Sequence, residues 1–371
     1  MKKILIATFS DIKSDSRILR YLNCYDKNYI VYLIGNGDFL PENKNLIYIN
    51  INYRSRRKNK SFFEFLYYNF YLKYKLLVLI KIIRPDFIHS NDFETFFPSY
   101  FAFLNKKNKL IYDSHEIWCE RAGVRKNSVT KILNSLEYLI ERSFTKKIKY
   151  FITVSDSIKL YFEKKYKIKN IYVIRNVPTL NNYNEIEKNI FDSVKDEKRL
   201  KFVYIGPLSC ERNIPFLLEI FKDFEKDFHL TLIGKNFLRL TNYPNIKIFD
   251  SINENKIFPT LKIFDIGVHP LKMDNLNHRF SLPNKIFQYM ASSLALFVYE
   301  NVETLKIIEK YKNGFIADFS DRKNVVEKLK LFQKTDIRKM KENSYKGFLE
   351  EYNWDNEKKV YQKILKEITN L

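Results

Sequence analysis

Short apolar runs rich in β-branched and aromatic residues alternate with longer amphipathic segments along the chain. Continuous apolar runs are typical of parallel strands buried on both faces. Each run precedes a segment of helical length, which is the order of elements in a doubly wound α/β sheet. The predicted strands are residues 3–9, 29–35, 46–52, 86–90, 109–113, 149–154, 170–175, 200–206, 228–233, 245–250, 263–269, 295–299 and 314–318.

The same rhythm occurs in both halves, so the pattern predicts two Rossmann-like domains with doubly wound parallel sheets. Residues 1–178 form the predicted N-terminal domain and residues 200–350 the C-terminal domain. Between them, residues 179–199 have no strand pattern and are rich in Asn and charge, which is typical of a linker. Residues 351–371 have apolar side chains at helical spacing and predict a final amphipathic helix.

The composition predicts a large core and anionic partners. Of the 371 residues, 45% are apolar and 16% aromatic, which excludes a disordered protein. The formal net charge of +22 favours anionic ligands or surfaces. However, the abundance of Lys, Asn and Ile beside only 8 glycines indicates a genome poor in G and C, which inflates the basic count. The basic residues are dispersed and fit no nucleic-acid module, so we expect no nucleic-acid partner.

Targeting and metal-binding signals are weak. The 3 cysteines fit neither a zinc site nor a disulfide framework, which indicates a reducing cytoplasm. The apolar start of the chain predicts a buried strand, because it is too short for a signal peptide. No apolar run approaches the roughly 18 residues that span a bilayer. No two aspartates stand two positions apart, so we expect no metal cofactor of the Asp-x-Asp kind.

A helix is predicted to begin near Ser281, which can cap it, with Pro283 in its first turn. Lys285 would also lie in that turn, where the positive end of the helix dipole disfavours a cation. A bound diphosphate would resolve this conflict. The alternative is a solvated lysine on an ordinary surface helix.

A second basic helix start follows the predicted strand that ends at Gly206. Arg212 lies where the next apolar helical pattern begins. Ligands of open α/β sheets bind beyond the carboxyl ends of the strands. We therefore expect Arg212 and Lys285 to converge on one anion, although Arg212 could instead pair with Glu211.

These motifs resemble a known family. The sequence Ser-Leu-Pro-Asn-Lys-Ile-Phe-Gln-Tyr-Met-Ala at 281–291 is similar to the donor-site helix of family 4 retaining glycosyltransferases, which have the GT-B fold. Gly206 with Arg212 resembles the phosphate-binding segment of that family. The segments 15–17, 112–116 and 352–355 resemble other parts of its fold. The resemblance implies two domains facing across a cleft and a C-terminal helix that crosses back to the N-terminal domain.

The resemblance also implies a donor site for a nucleotide-diphosphate sugar. Arg212 and Lys285 would hold the diphosphate and stabilise it as a leaving group. The other implied donor residues are Gly206 and Asn284 for the diphosphate, and Gln288, Arg279 and Ser281 for the nucleotide or sugar. Gln288 stands where the family has a glutamate, and Phe280 replaces a second acid.

A polar cluster follows the predicted strands of the first half. His115 lies between Asp113 and Glu116 at a strand end, which suits acid–base work, and the resemblance places it near the donor sugar. The predicted catalytic residues are therefore His115, Asp113 and Glu116, and the predicted acceptor-side residues are Asp92, Asp15 and Arg17. The alternative for His115 is a loop histidine that pairs with a local carboxylate. The alternative for Asp15 and Arg17 is that they cap the first helix.

Residues 54–71 combine a basic run with an aromatic helix, which suits an anionic membrane surface and a lipid-linked acceptor. A buried helix after a basic loop is the alternative. We thus predict a cytoplasmic, metal-independent, retaining glycosyltransferase for cell-surface glycan, with a saccharide or lipid-linked acceptor and contact at the inner face of the membrane. A non-catalytic glycosyltransferase-like subunit and a GT-B-like nucleotide-sugar epimerase remain alternatives.

Overall fold

A computed structural model describes residues 1–41, 43–51, 62–120, 128–179 and 184–370, without the side chains of 62–69 and 128–134. The chain divides into two compact units. The first comprises Met1–Arg175 and Lys358–Leu371, and the second Asn176–Glu357. No helix among these described residues is long and apolar enough to cross a bilayer.

The first unit contains a parallel sheet of 7 strands in the order β3-β2-β1-β4-β5-β6-β7 within the described residues. Its strands are β1 Lys2–Asp11, β2 Tyr29–Asn36, β3 Leu46–Asn50, β4 Phe87–Asn91, β5 Leu110–Ser114, β6 Tyr150–Thr153 and β7 Ile171–Val173. Its helices are α1 Ser16–Leu22, α2 Phe62–Ile83, α3 Asp92–Ala102, α4 Ser128–Thr145 and α5 Asp156–Tyr166.

The second unit contains a parallel sheet of 6 strands in the order β10-β9-β8-β11-β12-β13 within its described part. Its strands are β8 Leu200–Ile205, β9 Phe228–Ile233, β10 Ile246–Phe249, β11 Ile266–His269, β12 Ala295–Tyr299 and β13 Gly314–Ala317. The remaining helices are α6 Lys188–Val194, α7 Ile214–Asp223, α8 Glu254–Leu261, α9 Leu276–Phe280, α10 Asn284–Ala291, α11 Val302–Tyr311, α12 Arg322–Phe332, α13 Ile337–Glu350 and α14 Trp354–Thr369.

Burial of the strands explains their sequence pattern. Leu5 and Ile6, neighbours on β1, point to opposite faces of the sheet and both have 0% of their surface exposed. Leu230 and Leu232 on β9 are equally buried. Helices cover both faces of a doubly wound sheet, so the strands carry continuous apolar runs. Each of the predicted strands overlaps a strand of the structure.

Two local predictions differ from the structure. The stretch predicted as a linker contains helix α6, in which Ile190 and Val194 are buried and anchor a short amphipathic turn. The final helix α14 buries Ile364 and Ile368 as predicted, but it also buries Tyr361, which the apolar spacing did not select. From Lys358 onward this helix belongs to the first unit.

Candidate active site

The strand order of the second unit determines where a ligand can bind. Strands β9 and β10 extend from β8 in one direction, and β11, β12 and β13 extend in the other. In open α/β sheets, ligands bind beyond the carboxyl ends of the strands where the order reverses. In this unit, that place lies between Gly206, which follows β8, and His269, which ends β11.

Lys285 lies directly across Gly206. A Cβ atom on this glycine would be 2.4 Å from Lys285 Cε and 3.0 Å from Nζ. The glycine also has a φ of +139°, a conformation that residues with a side chain rarely adopt. The absence of a side chain at position 206 therefore allows the ammonium of Lys285 to reach the strand end.

Arg212 is the second cation of this site. It ends the 3₁₀ turn Cys210–Arg212 just before α7. Burial, and then repulsion by Arg212, lowers the pKa of Lys285 to about 8. Neither cationic side chain has a hydrogen bond or an ion pair within the described residues, and no pair with Glu211 forms there. Two neighbouring cations without a carboxylate repel each other, and an anionic ligand would relieve that repulsion.

The helix that carries Lys285 begins later than predicted. Pro283 occupies the N-cap position and provides no side-chain hydrogen bond, so Asn284 and Lys285 are the first two residues of α10. The prediction that Ser281 caps this helix is wrong, because Ser281 instead ends α9. Without a capping side chain, the first backbone N–H groups of α10 remain available to a ligand.

A cavity of about 670 Å³ adjoins this site within the second unit. Arg279, Phe280, Tyr299 and Asn301 are among its lining residues. Arg279 is exposed and Phe280 half-buried. The volume falls within the range of small-molecule sites. Gln288 lies half-buried on α10, and the roles predicted for Gln288 and Arg279 remain predictions.

Sequence reasoning missed His269 at the end of β11. Only 1% of its surface is exposed, and neither ring nitrogen has a hydrogen-bond partner within the described residues. Burial, followed by the positive charges of Lys285 and Arg212, lowers its pKa well below the usual range. The imidazole is therefore neutral. A histidine directly before Pro270 at the end of a predicted strand was the available signal.

The first unit brings His115 together with two aspartates. The sheet order reverses between β1 and β4, and Asp92 follows β4 while His115 follows β5. His115 Nδ1 lies 3.5 Å from Asp92 Oδ2, and Nε2 lies 3.5 Å from Asp113 Oδ2. Burial alone would lower the pKa of His115, but the carboxylates of Asp92 and Asp113 outweigh it and raise this pKa to about 9. His115 is thus a cation at neutral pH.

Asp92 holds its position by an unusual backbone conformation. Its φ is +60°, which aspartate tolerates better than most residues. Its carboxylate also accepts a hydrogen bond from the backbone N–H of His115 over 3.2 Å. Strained backbone of this kind is found at functional sites. Asp92 and His115 keep 35% and 27% of their side-chain surface exposed and remain accessible.

The structure buries two of the predicted site residues, Asp113 and Arg17, against each other. Asp113 has no exposed surface and accepts two hydrogen bonds from Arg17, at 2.8 and 2.9 Å, and one from Tyr21 at 2.8 Å. Arg17 is 2% exposed and also donates to the carbonyl of Ile174. Burial raises the pKa of Asp113, but Arg17 and then His115 hold it well below its usual range. The buried pair therefore lies behind His115, with Asp113 Oδ2 3.5 Å from His115 Nε2, and the roles predicted for Asp113 and Arg17 in transfer remain predictions.

Asp15 and Glu116 make local contacts near the ends of their strands. The carboxylate of Asp15 accepts from the backbone N–H of Ile18 and caps α1, which was the alternative for this residue. Glu116 is half-buried beside His115, and its carbonyl accepts from the Ser114 hydroxyl. Roles for Asp15 and Glu116 in transfer remain predictions.

The sequence pattern also did not predict that a residue near the C-terminus contacts the buried residues behind His115. His89 on β4 is fully buried, and burial lowers its pKa, so it is neutral. Its Nδ1 lies 2.7 Å from the Tyr361 hydroxyl of α14, and its Nε2 lies 3.5 Å from Asp113. The Tyr361 hydroxyl also bonds that of Tyr25. Helix α14 thus completes the buried network behind His115.

Two family models match the chain. Residues 27–177 match Glycosyltransferase Family 4, and residues 185–347 match Glycosyl transferases group 1. The two matches lie one after the other and together include most of the chain. The chain is a glycosyltransferase. A search of curated proteins finds no match.

Solved structures show the fold of this glycosyltransferase. Sucrose-phosphate synthase from Thermosynechococcus elongatus is similar with a TM-score of 0.77 at 8% identity, covering 100% of both chains. Anabaena HepE in complex with UDP has a TM-score of 0.73 at 12% identity, again over 100% of both chains. WaaG, involved in lipopolysaccharide biosynthesis, has a TM-score of 0.68 at 12% identity over 98% of this chain and 99% of that one. The predicted GT-B fold of two parallel-sheet domains is confirmed.

Proposed function

We propose that this glycosyltransferase uses a nucleotide-diphosphate sugar and transfers the sugar with retention to a saccharide or lipid-linked saccharide. The observation that carries the proposal is the pair Arg212 and Lys285, two neighbouring cations without an acidic partner among the described residues. A diphosphate supplies the missing negative charge. The neighbouring cavity has room for the nucleoside, and a solved structure with the same fold contains UDP.

The chemistry follows from charge stabilisation. When the bond between the sugar and the diphosphate breaks, negative charge grows on the departing phosphate oxygen. Arg212, Lys285 and the uncapped start of α10 would stabilise that charge. The acceptor hydroxyl would attack from the same face of the sugar and pass its proton to the departing phosphate oxygen. His115, held as a cation by Asp92 and Asp113, is the group of the first unit that we assign to the donor sugar. This mechanism requires neither a protein nucleophile nor a metal ion.

The test is transfer activity in variants of the two cations. Arg212→Ala or Lys285→Ala should each lower kcat by roughly 30-fold to 1000-fold, because one charge-assisted contact stabilises a transition state by roughly 2–4 kcal/mol. The exposed Lys330→Ala on α12 serves as the matched control. Wild-type activity should persist in EDTA. Unchanged rates in both site variants would contradict the assignment, and loss of activity in EDTA would contradict the metal-independent mechanism.

We also propose a role in cell-surface glycan synthesis at the inner face of the membrane. Residues 54–61 of the predicted surface segment lie outside the described residues, and of 62–69 only the helical backbone is described. The described part of α2 supports the proposal, because Phe70 and Tyr74 are 71% and 66% exposed and Lys81 is also exposed. Exposed aromatic residues beside lysines favour an anionic lipid surface.

The alternative of a non-catalytic subunit, raised by the sequence, can be tested by turnover. Phe280 and Gln288 stand where the related family has acids, and Phe280 lines the cavity next to the diphosphate site. Such a subunit would bind a nucleotide diphosphate with full affinity and show no turnover with any sugar donor. Release of nucleoside diphosphate from a donor in the presence of acceptor would exclude it.

A further inference from the structure

His269 is a buried histidine at the diphosphate site for which the proposed function gives no role. It ends β11 at the place where the sheet order reverses. Its ring lies between two tyrosines on the neighbouring strands, with centroids 6.2 Å from Tyr204 and 5.5 Å from Tyr299. Neither nitrogen has a hydrogen-bond partner within the described residues. Buried polar atoms without partners are rare in folded proteins and require an explanation.

The charged groups that act on His269 are all basic. They are Lys285 on α10, Arg212 in the turn after β8, and His278 on α9. The two elements on either side of the ring contribute only the tyrosines. A neutral imidazole in this setting has one nitrogen that accepts a hydrogen bond and one N–H that donates. The two tyrosine hydroxyls donate elsewhere, to the carbonyls of Pro207 and Ser281, so the nearby donors left for this acceptor are cationic.

Lys285 is the donor that the geometry favours. A Cβ atom built on Gly206 would be 3.0 Å from Lys285 Nζ and 3.1 Å from the Tyr204 hydroxyl. The Tyr204 ring is nearly parallel to that of His269, with 13° between the planes. The ammonium and the imidazole thus lie at the same strand end, and each is near Tyr204.

We propose that His269 is a positioning residue for Lys285, whose ammonium donates to the imidazole once a diphosphate is bound. The inference rests on the proposed function, since it requires an anion at Arg212 and Lys285. The ammonium has three donor hydrogens, and the diphosphate oxygens take those that face the ligand. The buried ring accepts one of the others. This contact fixes the ammonium and favours its protonated form.

The experiment measures pyrophosphate affinity by calorimetry from pH 6 to 9.5. His269→Phe keeps a planar ring between the tyrosines and removes both nitrogens. We expect its affinity to fall at least tenfold, and the pH above which binding weakens to fall by about one unit. His269→Gln keeps a hydrogen-bond acceptor and should bind within about threefold of the wild type.

A second measurement uses the wild-type protein and does not depend on a variant that folds. In ¹⁵N spectra of the imidazole groups, pyrophosphate should shift the acceptor nitrogen of His269. An unchanged ring signal, or a His269→Phe protein with wild-type affinity and pH dependence, would overturn the inference while the diphosphate site stands. Absence of pyrophosphate and UDP binding in the wild type would contradict the proposed function itself.

Discussion

The two groups of charged residues at the strand ends differ in the sign of their surroundings. At the second-unit site, Arg212 repels Lys285 and no described acid compensates. In the first unit, Asp92 and Asp113 surround His115 and keep it cationic. Side chains whose pKa values are shifted by burial and by neighbouring charges are common at functional sites. Substitution of a single side chain should therefore change the charge of either cluster.

Removal of the Lys285 charge should stabilise the protein while it abolishes diphosphate binding. The folded pKa of about 8 lies below the unfolded value of about 10.4, so the charge opposes folding at all pH values below 8. Lys285→Met should raise the free energy of unfolding at pH 7 by roughly 3 kcal/mol, since each unit between the two pKa values is worth about 1.4 kcal/mol. The gain should shrink from pH 8 to about 10.4, where the wild type loses its penalty. Urea denaturation at pH 7 and pH 10 measures both effects.

The exposed Lys330→Met is the control for this comparison, since Lys330 lies on the surface of α12 in the same unit. Its free energy of unfolding should follow the wild type at both pH values. A Lys285→Met protein that is less stable than the wild type at pH 7 would show that the ammonium is not destabilising in the free site.

The raised pKa of His115 should depend on Asp92. Asp92→Asn removes the larger of the two charges that raise this pKa, so the midpoint of His115 should fall from about 9 by one unit or more. NMR titration of the imidazole carbon-bound protons measures the midpoint directly. Asp15→Asn, which removes a carboxylate that caps α1, is the control. An equal midpoint in the wild type and the Asp92→Asn variant would contradict the ion pair.

At the scale of elements, each site is built where a strand ends and the next helix begins. Strand β8 ends at Ile205, and the next residue, Gly206, has a positive φ in the turn that leads to Arg212. Helix α10 presents Lys285 in its first turn, and Ile286 and Met290 bury its other face in the core. The two cations are therefore held by packed elements, which is how a binding site keeps its geometry without a ligand.

Gly206→Ala tests this arrangement of strand and helix. The added Cβ would lie 2.4 Å from Lys285 Cε on a backbone with φ +139°, so the lysine must move and the turn is strained. We expect a loss of about 1–3 kcal/mol in unfolding free energy and at least a tenfold loss of pyrophosphate affinity. Calorimetry and urea denaturation measure the two losses.

Gly37→Ala is the matched control, because Gly37 also has a positive φ of +84° but lies in the first unit. It should lose stability and keep wild-type pyrophosphate affinity. If Gly206→Ala also kept that affinity, the close approach of Lys285 to the strand end would have no part in binding.

The whole molecule adds a broad positive charge to these local sites. The formal net charge of +22 attracts nucleotide diphosphates and anionic surfaces alike. The aromatic side chains exposed on α2 supply the apolar contact that charge alone lacks. The net charge and these exposed aromatic residues together predict reversible binding to membranes that contain anionic lipid.

Binding to lipid vesicles tests that prediction. The protein should co-sediment with vesicles that contain about 30% anionic lipid and remain free with neutral vesicles, since roughly 1 kcal/mol is gained for each lysine near an anionic surface. Phe70→Ser with Tyr74→Ser should weaken sedimentation severalfold. Phe237→Ser, which removes a 59% exposed aromatic from the second unit, should not. Equal binding by both variants would remove α2 from the contact.

The sequence alone determined the strands and the motif that carries Lys285, because burial on both sheet faces and helix spacing leave local patterns. It also determined the aspartates and histidine at the strand ends, since these follow apolar runs directly. It could not show that Asp113 and Arg17 are buried against each other, because their pairing depends on the packing of α1 on β5.

Tertiary structure decided the rest. The strand order brought Arg212, Lys285 and His269 to one end of the sheet, where burial and the two cations lower the pKa of His269, although these residues are distant in sequence. It also brought Tyr361 to His89 from the other end of the chain. Local sequence patterns indicate which residues are buried. They do not indicate the order of the strands in the sheet. The convergence of charges at a strand end follows only from that order.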